Sequence, residues 1–370
     1  MIAGLLSFRS LAALASSTAQ PEPTPLPQFE SLAFVQGTDA GIQVGKISQA
    51  DLEQRGNGPK APSRVASIAL PPGCTALDMH AAPRGPWAAI QVTCESSGFL
   101  VFVNVHSSQV RMLDNMSGRD QIFLAWAPSG NDIVVLVDPS LDSQVMSVHI
   151  PDGKQDPLDL PPSTYNLTFS RDGRQILYAT TEGVGWGSEL WTARADGGNA
   201  RRLIQDRTHL IAFPHFSPDT AKFGFVLMND DTQPFSVGGL WVGDVDGSNL
   251  RRLADVDAGH GFAPVWSPDG RWIAYVGREN PHDDRADFTF DSLESNLYAA
   301  SSVDGMIRAL SSLEHARVGP PAWSPDGSLV AFPAHDSSGD GVWTVEWGNG
   351  ELTKVVDSPG SFAPGWIAGE

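Results

Sequence analysis

Short runs of alternating apolar and polar residues follow one another along the chain, and clusters of turn-forming residues separate them. Alternation with a period of two is typical of β-strands, whereas an amphipathic helix has a period near 3.6 residues. The sequence contains no long helical pattern. It therefore predicts an all-β protein, built from many short strands that tight turns connect.

One pattern recurs five times and consists of an aromatic residue, a four-residue turn and an alternating apolar strand. The copies are WAPSGNDIVVLV from Trp126, FSRDGRQILYAT from Phe169, FSPDTAKFGFVL from Phe216, WSPDGRWIAYVG from Trp266 and WSPDGSLVAFPA from Trp323. In such a turn proline presets φ, Asp or Asn caps the backbone, and glycine takes the position with φ above zero. The turn therefore closes a hairpin between two strands, A and B, of a repeating unit.

A second pattern follows each copy, a strand C that ends in an Asp-Gly turn leading to a strand D. It is clear in residues 190–203, 240–253 and 297–310 and looser in residues 145–158. Successive aromatic positions are 43, 47, 50 and 57 residues apart. Four-stranded units of roughly 40–50 residues are typical of propeller blades.

The two ends of the chain complete one blade between them. The C-terminal GSFAPGWIAGE aligns with residues 261–270 and predicts a strand A at Trp366, while residues 31–48 resemble strands B and C without a strand A. Residues 74–115 form a degenerate blade. With the five clear copies this predicts a seven-bladed β-propeller, six or eight blades being the alternatives. Closure by both termini would leave no open sheet edge.

The turn motif closely resembles the PD40 repeat of TolB-type propellers, the WD40-like repeats of bacterial periplasmic proteins. The motif is complete in residues 266–270 and 323–327, and it departs at Ala127, Ser129, Arg171 and Thr220. TolB-type proteins combine a six-bladed propeller with an additional N-terminal α/β domain. Residues 1–30 are too short for such a domain, so the resemblance implies the fold and not the role of TolB.

The N-terminal residues predict export. Residues 1–15 are apolar and rich in small residues, and the chain then becomes rich in Ser and Thr. Residues 1–20 are therefore predicted as an export leader, with an A-x-A-like cleavage site at residues 13–15. No basic segment precedes the apolar run, which leaves open whether the start of this leader is assigned correctly. The run is too short for a membrane span of roughly 20 residues. Residues 21–29 are predicted as a Pro-rich linker, and residues 30–370 as a single propeller domain in the periplasm, the cell envelope or the medium.

The two cysteines fit an oxidising compartment. Cys74 and Cys94 lie on either side of a predicted turn at residues 82–86, which contains their midpoint. Two strands that fold back at this turn would place the cysteines opposite one another. A disulfide is therefore predicted, with two buried free thiols as the alternative.

The charge of the chain limits the classes of partner. Lys and Arg number 24 against 43 Asp and Glu, so the formal net charge is −19. Such a surface repels nucleic acid and anionic membranes and favours solubility or cationic partners. Nucleic-acid binding is excluded, insertion into a membrane is not expected beyond the leader, and a monomer is expected.

The loops between strands B and C vary in length, whereas the A–B and C–D turns are short. Variable loops on a rigid frame are where recognition usually occurs. Trp186, in a B–C loop, and Trp347, at the end of a strand C, are the candidates for stacking on a ligand. These loops carry the predicted partner-binding acids Asp230, Asp231, Asp283, Asp284, Asp287, Asp336 and Asp340. They predict docking of a basic partner or weak Ca²⁺ binding, with solvated charge as the alternative.

Three histidines are the candidate metal ligands. His209, His260 and His315 precede Phe216, Trp266 and Trp323 by seven, six and eight residues in the predicted D–A connections. Imidazoles that converge at the channel mouth would hold a divalent transition metal, with Asp206 or Asp257 completing the shell. Oligogalacturonate lyases are similar seven-bladed propellers that hold a divalent metal through histidines near the axis. The spacing of the three histidines does not require their side chains to converge. No cofactor is therefore predicted, and a bound divalent metal is kept as the alternative.

The sequence leaves two functional hypotheses. No G-x-S-x-G, Walker loop, zinc-finger cysteine pair or Rossmann glycine pattern is present. The first hypothesis is an exported, non-catalytic scaffold that binds a protein or a glycan through an acidic loop face. The second is a metal-dependent polysaccharide lyase or hydrolase with its site at the channel mouth.

Overall fold

The computed structural model describes residues 29–54, 58–95, 97–113, 118–139, 143–231 and 236–368. The predicted leader, residues 1–20, and the linker up to residue 28 lie outside these ranges. The described residues form seven antiparallel sheets, each with four strand positions. The sheets are the blades of a propeller, numbered I to VII in ring order, and the prediction of seven blades is confirmed.

The first four blades each run from a strand A to a strand D. Blade I contains β29 (Ser361–Ala368), β1 (Phe29–Thr38), β2 (Gly41–Ser48) and β3 (Ser63–Ala69). Blade II contains β4 (Thr75–Ala81), β5 (Trp87–Thr93), β6 (Gly98–Asn104) and β7 (Val110–Met112). Blade III contains β8 (Gln121–Trp126), β9 (Asp132–Val137), β10 (Gln144–His149) and β11 (Lys154–Pro157). Blade IV contains β12 (Thr164–Phe169), β13 (Gln175–Thr180), β14 (Ser188–Arg194) and β15 (Arg201–Asp206).

The remaining blades follow the same order. Blade V contains β16 (His209–Phe216), β17 (Lys222–Asn229), β18 (Val237–Asp244) and β19 (Arg251–Asp257). Blade VI contains β20 (Val265–Trp266), β21 (Trp272–Arg278), β22 (Ser295–Ser301) and β23 (Ile307–Ala309). Blade VII contains β24 (Arg317–Val318), β25 (Ala322–Trp323), β26 (Leu329–Asp336), β27 (Gly339–Glu346) and β28 (Leu352–Asp357). Helix α1 covers Gln49–Glu53, and two short 3-10 helices cover Asp284–Asp287 and Phe290–Ser292.

The C-terminal strand closes the ring as predicted. Strand β29 pairs antiparallel with β1, with Trp366 opposite Leu32 and Gly365 opposite Ala33. The two ends of the described chain are thereby held in one sheet. Opening the ring would expose the unpaired edges of both strands.

The second strand of each blade is buried on both faces, which explains its nearly continuous apolar sequence. In β9, Ile133 and Val135 pack with blade II, whereas Val134 and Leu136 pack with blade IV. Successive side chains of a strand point to opposite faces, so one strand serves both neighbouring interfaces. In the described part of the chain, each of the seven interfaces between blades holds one apolar cluster.

The repeated turn is held by side-chain hydrogen bonds. In blade VI the Ser267 hydroxyl donates to Asp269 Oδ1 at 2.5 Å and accepts from the Trp272 N–H at 3.0 Å. Asp269 also accepts from the Arg271 N–H, and Gly270 has a φ of 72°. The same serine–aspartate contact occurs in three other blades, at Ser170, Ser217 and Ser324. The motif therefore determines the A–B turn.

Tryptophans of the repeat join neighbouring blades. The indole N–H groups of Trp126, Trp323 and Trp366 donate to the backbone carbonyls of His80, Val265 and Ala322. Each of these carbonyls belongs to strand A of the preceding blade in the ring. Because the indoles bridge blades in this way, they serve the ring and are not a ligand platform.

The cysteines are joined as predicted. Cys74 and Cys94 form a disulfide, with Cα atoms 4.1 Å apart, beside the hairpin of β4 and β5. Residues 82–86 form the turn between these strands. The covalent link therefore lies at the end of the hairpin away from the turn.

Two elements depart from the regular repeat. The C–D connection of blade I lies between Ser48 and Ser63 and contains α1. The prediction that all C–D turns are short is therefore wrong for this blade. Strand A of blade VII is interrupted between β24 and β25, since Pro320 and Pro321 have no N–H to donate to a ladder. No helix in the described ranges is long and apolar enough to cross a membrane.

Candidate functional site

A cavity of about 430 Å³ lies where the connections of four consecutive blades meet. Blade VI contributes the connection that precedes its strand A and its B–C loop. The other lining residues lie in strands β24, β26 and β27 of blade VII, in the break between β24 and β25, at the start of β29 and in β4. We call the surface formed by the D–A and B–C connections the loop face, and the opposite surface the turn face. The first strands of most neighbouring blades contact one another around the axis. The start of β29 and β24, the first part of strand A in blade VII, line the cavity, which therefore lies at the loop-face end of these inner strands.

Aromatic and other apolar side chains form most of the cavity wall. Phe262 comes from the connection after β19, Phe290 from the B–C loop of blade VI, and Phe362 from β29. The rings of Phe262 and Phe290 lie 6.2 Å apart at 77°, and His260 packs against both. A concave apolar wall with a few polar groups is the usual form of a binding pocket.

A buried charge cluster fixes this wall. Asp257, at the end of β19, accepts from Arg278 Nε at 2.6 Å and lies 2.8 Å from His260 Nδ1. Arg278 also contacts Asp287 at 2.6 Å, in the 3-10 helix that precedes Phe290. The side chains of Asp257, Arg278 and His260 are 0%, 1% and 3% exposed. The cluster ties a D–A connection to a B–C loop and so holds Phe262 and Phe290 in place.

Arg317 supplies the positive charge of the cavity. Its guanidinium lies 5.3 Å above the ring of Phe290 and donates to Asp291 Oδ1 at 3.0 Å. This cation–π geometry adds to the ion pair and holds the planar group against the wall.

His335 and Asp340 form the polar rim on blade VII. His335 Nδ1 lies 2.6 Å from Asp340 Oδ1, and the Gly360 N–H donates to Asp340 Oδ2 at 2.7 Å. Burial raises the pKa of Asp340, but the hydrogen bonds from Gly360 and His335 outweigh it and hold that pKa below its ordinary value. Asp340 is therefore ionised at neutral pH and joins blades VII and I at the cavity.

Several of the predicted acidic residues have structural contacts. Asp230 accepts from the Gly187 N–H at 2.6 Å and so links the B–C loops of blades V and IV. Asp283 caps a 3-10 helix, and its hydrogen bond and ion pair with Arg285 lower its pKa to about 2. Asp336 accepts from the Ser338 N–H, whereas Asp231 and Asp284 are exposed. Several of the predicted acids therefore hold the loops themselves.

The predicted histidines are each paired with a different carboxylate. His209 contacts Asp206 at 3.1 Å, His260 contacts Asp257, and His315 contacts Glu294 at 3.1 Å. The sequence predicted that His209 lies in a D–A connection, but it is the first residue of strand β16. Within the described ranges no group of three or more His, Cys, Asp or Glu side chains is placed to hold a metal ion.

Trp186 lies apart from the cavity, on the B–C loop of blade IV. Its side chain is 71% exposed and lines a second, larger cavity of about 900 Å³ beside that blade. The sequence identified Trp186 from its position in a variable loop. It gave no signal for Phe262, Phe290 or Phe362, because these residues come together only when four blades assemble.

No protein-family model and no curated protein matches the chain, but solved structures do. A putative TolB from Agrobacterium tumefaciens is 21% identical over 66% of this chain and 87% of its own, with a TM-score of 0.49. An oligogalacturonate lyase in complex with manganese is 13% identical over 90% and 86%, with a TM-score of 0.54. The β-propeller domain of the Trilobed protease from Pyrococcus furiosus is 13% identical over 78% and 85%, with a TM-score of 0.53.

The similarity to the lyase and to the Trilobed protease domain, whose TM-scores exceed 0.5, is one of fold. Together with the seven-bladed ring and its repeated turn, it confirms the predicted PD40-like β-propeller. Propellers carry many unrelated functions, so the function has to be argued from the site.

Proposed function

We propose that this chain is an exported binding propeller, without catalysis of its own, whose loop face captures a segment of a partner protein. The observation that carries the proposal is the cavity of about 430 Å³ with its wall of Phe262, Phe290 and Phe362. Its size suits one or two apolar side chains. Aromatic pockets that receive such an anchor are the usual centres of protein interfaces.

The charge around the cavity selects the partner. Asp284 and Asp231 are exposed on the loop face, and Asp78 and Asp340 lie at the cavity itself. The whole chain carries a formal charge of −19. Opposite charges steer encounter and suppress wrong partners. The partner segment therefore presents an apolar side chain with Lys or Arg residues next to it.

The disulfide supports an extracytoplasmic location. Cys74 and Cys94 are joined, and disulfides persist in oxidising compartments such as the bacterial periplasm. The predicted leader agrees with this location. A binding partner would accordingly be an envelope or secreted protein.

A displayed library of random peptides tests the proposal. We expect the selected peptides to combine an aromatic or large aliphatic residue with Lys or Arg. Their affinity should fall at least about tenfold in the Phe262→Asp variant, since a charge in the apolar wall removes the anchor contact. A Val303→Asp variant serves as the control, because Val303 is 74% exposed and lies in the C–D turn of blade VI on the turn face.

Three results would overturn the proposal. The first is that no peptide is selected by the folded protein. The second is that acidic peptides dominate. The third is that Phe262→Asp and Val303→Asp bind the selected peptides equally well.

A further inference from the structure

The cavity beside blade IV is a second concave surface, separate from the channel mouth. It measures about 900 Å³ and lies along strands β13, β14 and β15. One wall is the connection 158–163, which contains Pro161 and Pro162. The Ser163 carbonyl accepts from the Thr181 N–H at 3.2 Å, so this wall is fixed to the loop that carries Trp186. We call this cavity the blade IV groove.

Trp186 lies at the groove on a loop that hydrogen bonds hold at both ends. The Thr181 hydroxyl donates to the Gly187 carbonyl at 2.7 Å, and the Gly187 N–H donates to Asp230 at 2.6 Å. Gly187 has a φ of 71°, and a Cβ there would lie 2.2 Å from the Asp206 carbonyl oxygen. These contacts fix both ends of the loop that presents the indole to solvent, which lowers the entropy lost when a ligand binds.

Trp191 is a second, partly exposed aromatic residue of the groove. Its ring stacks at 6.4 Å and 8° on that of Tyr178, which is buried. The Trp191 indole N–H donates to Glu189, and Arg202 lies 5.7 Å above the same ring. Trp191 is fixed by these contacts, whereas the indole of Trp186 has an open face. An aromatic ring with an apolar face and a polar edge suits the C–H face of a sugar ring.

The polar residues of the groove suit hydroxyl groups. Thr180, Thr181 and Gln205 lie along it, and such side chains exchange hydrogen bonds with sugar hydroxyls. Its charged residues are four acids and one base, namely Asp159, Glu182, Glu189, Asp206 and Arg207. This excess of negative charge repels uronates and other acidic sugars.

We propose that the blade IV groove binds an uncharged polysaccharide, with Trp186 stacking on one of its sugar rings. This site shares no lining residue with the channel-mouth cavity. It does not rest on the proposed capture of a protein segment, and the two proposals fail separately. A propeller with both sites would attach a protein partner to a glycan.

Titration of the full-length protein with uncharged hexasaccharides tests the proposal by calorimetry. The probes are cellohexaose, laminarihexaose, maltohexaose and chitohexaose, with hexagalacturonate as the anionic comparison. We expect at least one uncharged probe to bind, and Trp186→Ala to weaken its binding by about tenfold or more. Trp186→Phe should retain part of the affinity, because it keeps an aromatic face.

The control is Phe288→Ala, another exposed aromatic residue (56%) on a B–C loop, which should leave binding unchanged. Unchanged melting temperatures show that the variants are folded. The proposal is overturned if no uncharged probe binds, if Trp186→Ala binds as the wild type does, or if hexagalacturonate binds as tightly as the uncharged probes.

Discussion

Asp257 and Arg278 form a fully buried ion pair, in which the carboxylate Oδ1 lies 2.6 Å from the guanidinium Nε. The pair joins the end of blade V to strand B of blade VI. Because His260 and Asp287 contact the same two residues, the pair determines the position of the loops that form the cavity wall.

We expect Asp257→Ala to lower the free energy of unfolding by about 1.5–3 kcal/mol, since it removes one of the two carboxylates that pair with the buried Arg278 and leaves Asp287 as the other. The matched control is Asp255→Ala, two residues away, which removes an exposed pair with Arg252. Exposed pairs contribute about 0–1 kcal/mol. Urea unfolding of both variants measures the difference, and equal losses would contradict a structural role for the buried pair.

The buried His215 should make the stability of the protein depend on pH. Burial lowers the pKa of this histidine to about 4 from the ordinary 6.5, although Nδ1 lies 2.7 Å from the Phe213 carbonyl, where its N–H donates. The unfolded chain therefore takes up a proton at a higher pH than the folded protein does. Stability that is fully present above pH 6.5 is lost as the pH falls towards 4.

This loss amounts to about 3 kcal/mol for a shift of that size. We expect the His215→Gln variant to show a flatter profile between these two pH values in denaturant unfolding. The exposed His282 is the control, and His282→Gln should keep the wild-type profile. A profile unchanged by His215→Gln would show that other groups cause the acid sensitivity.

Reduction of the disulfide should destabilise the protein. Cys74 and Cys94 are 20 residues apart in the sequence, and a loop of this length corresponds to about 3 kcal/mol in the chain-entropy account. We expect a reductant to lower the urea midpoint of the wild type and to have no effect on a Cys74→Ser, Cys94→Ser double variant. Equal midpoints of the wild type with and without reductant would contradict this expectation.

Added metal should not stabilise the protein. His209, His260 and His315 each pair with a different carboxylate through Nδ1, and among the described residues no three His, Cys, Asp or Glu side chains are placed to hold a metal ion together. We expect Mn²⁺, Ca²⁺ and Zn²⁺ to leave the melting temperature unchanged. A rise with one of them that disappears in His315→Ala would instead favour the metal-dependent lyase.

The sequence predicted the parts of the fold that local chemistry determines. The Ser267–Asp269 contact lies within one turn, and the closure at Trp366 follows from the same repeat. The pairing of His260 with Asp257 also had a local signal, because Asp-x-x-His occurs at residues 206–209 and again at residues 257–260. That signal indicates a local pair and not a converging metal site.

The cavity could not be predicted, because its wall depends on the assembled ring. The position of Phe290 depends on the 3-10 helix before it, in which Asp287 pairs with Arg278 of β21. Phe362 belongs to β29, the last strand of the chain. No spacing in the sequence relates these residues. The interruption of strand A at Pro320 could be read from the sequence, but its position beside the cavity could not.

Hydrogen–deuterium exchange with a selected basic, apolar peptide tests the central claim, capture on the loop face, most directly. The account predicts slower exchange in residues 258–264, 279–294 and 335–340, which surround the cavity, and no change in the turns at residues 267–271 and 324–328. Protection of those turns with no change around the cavity would contradict it.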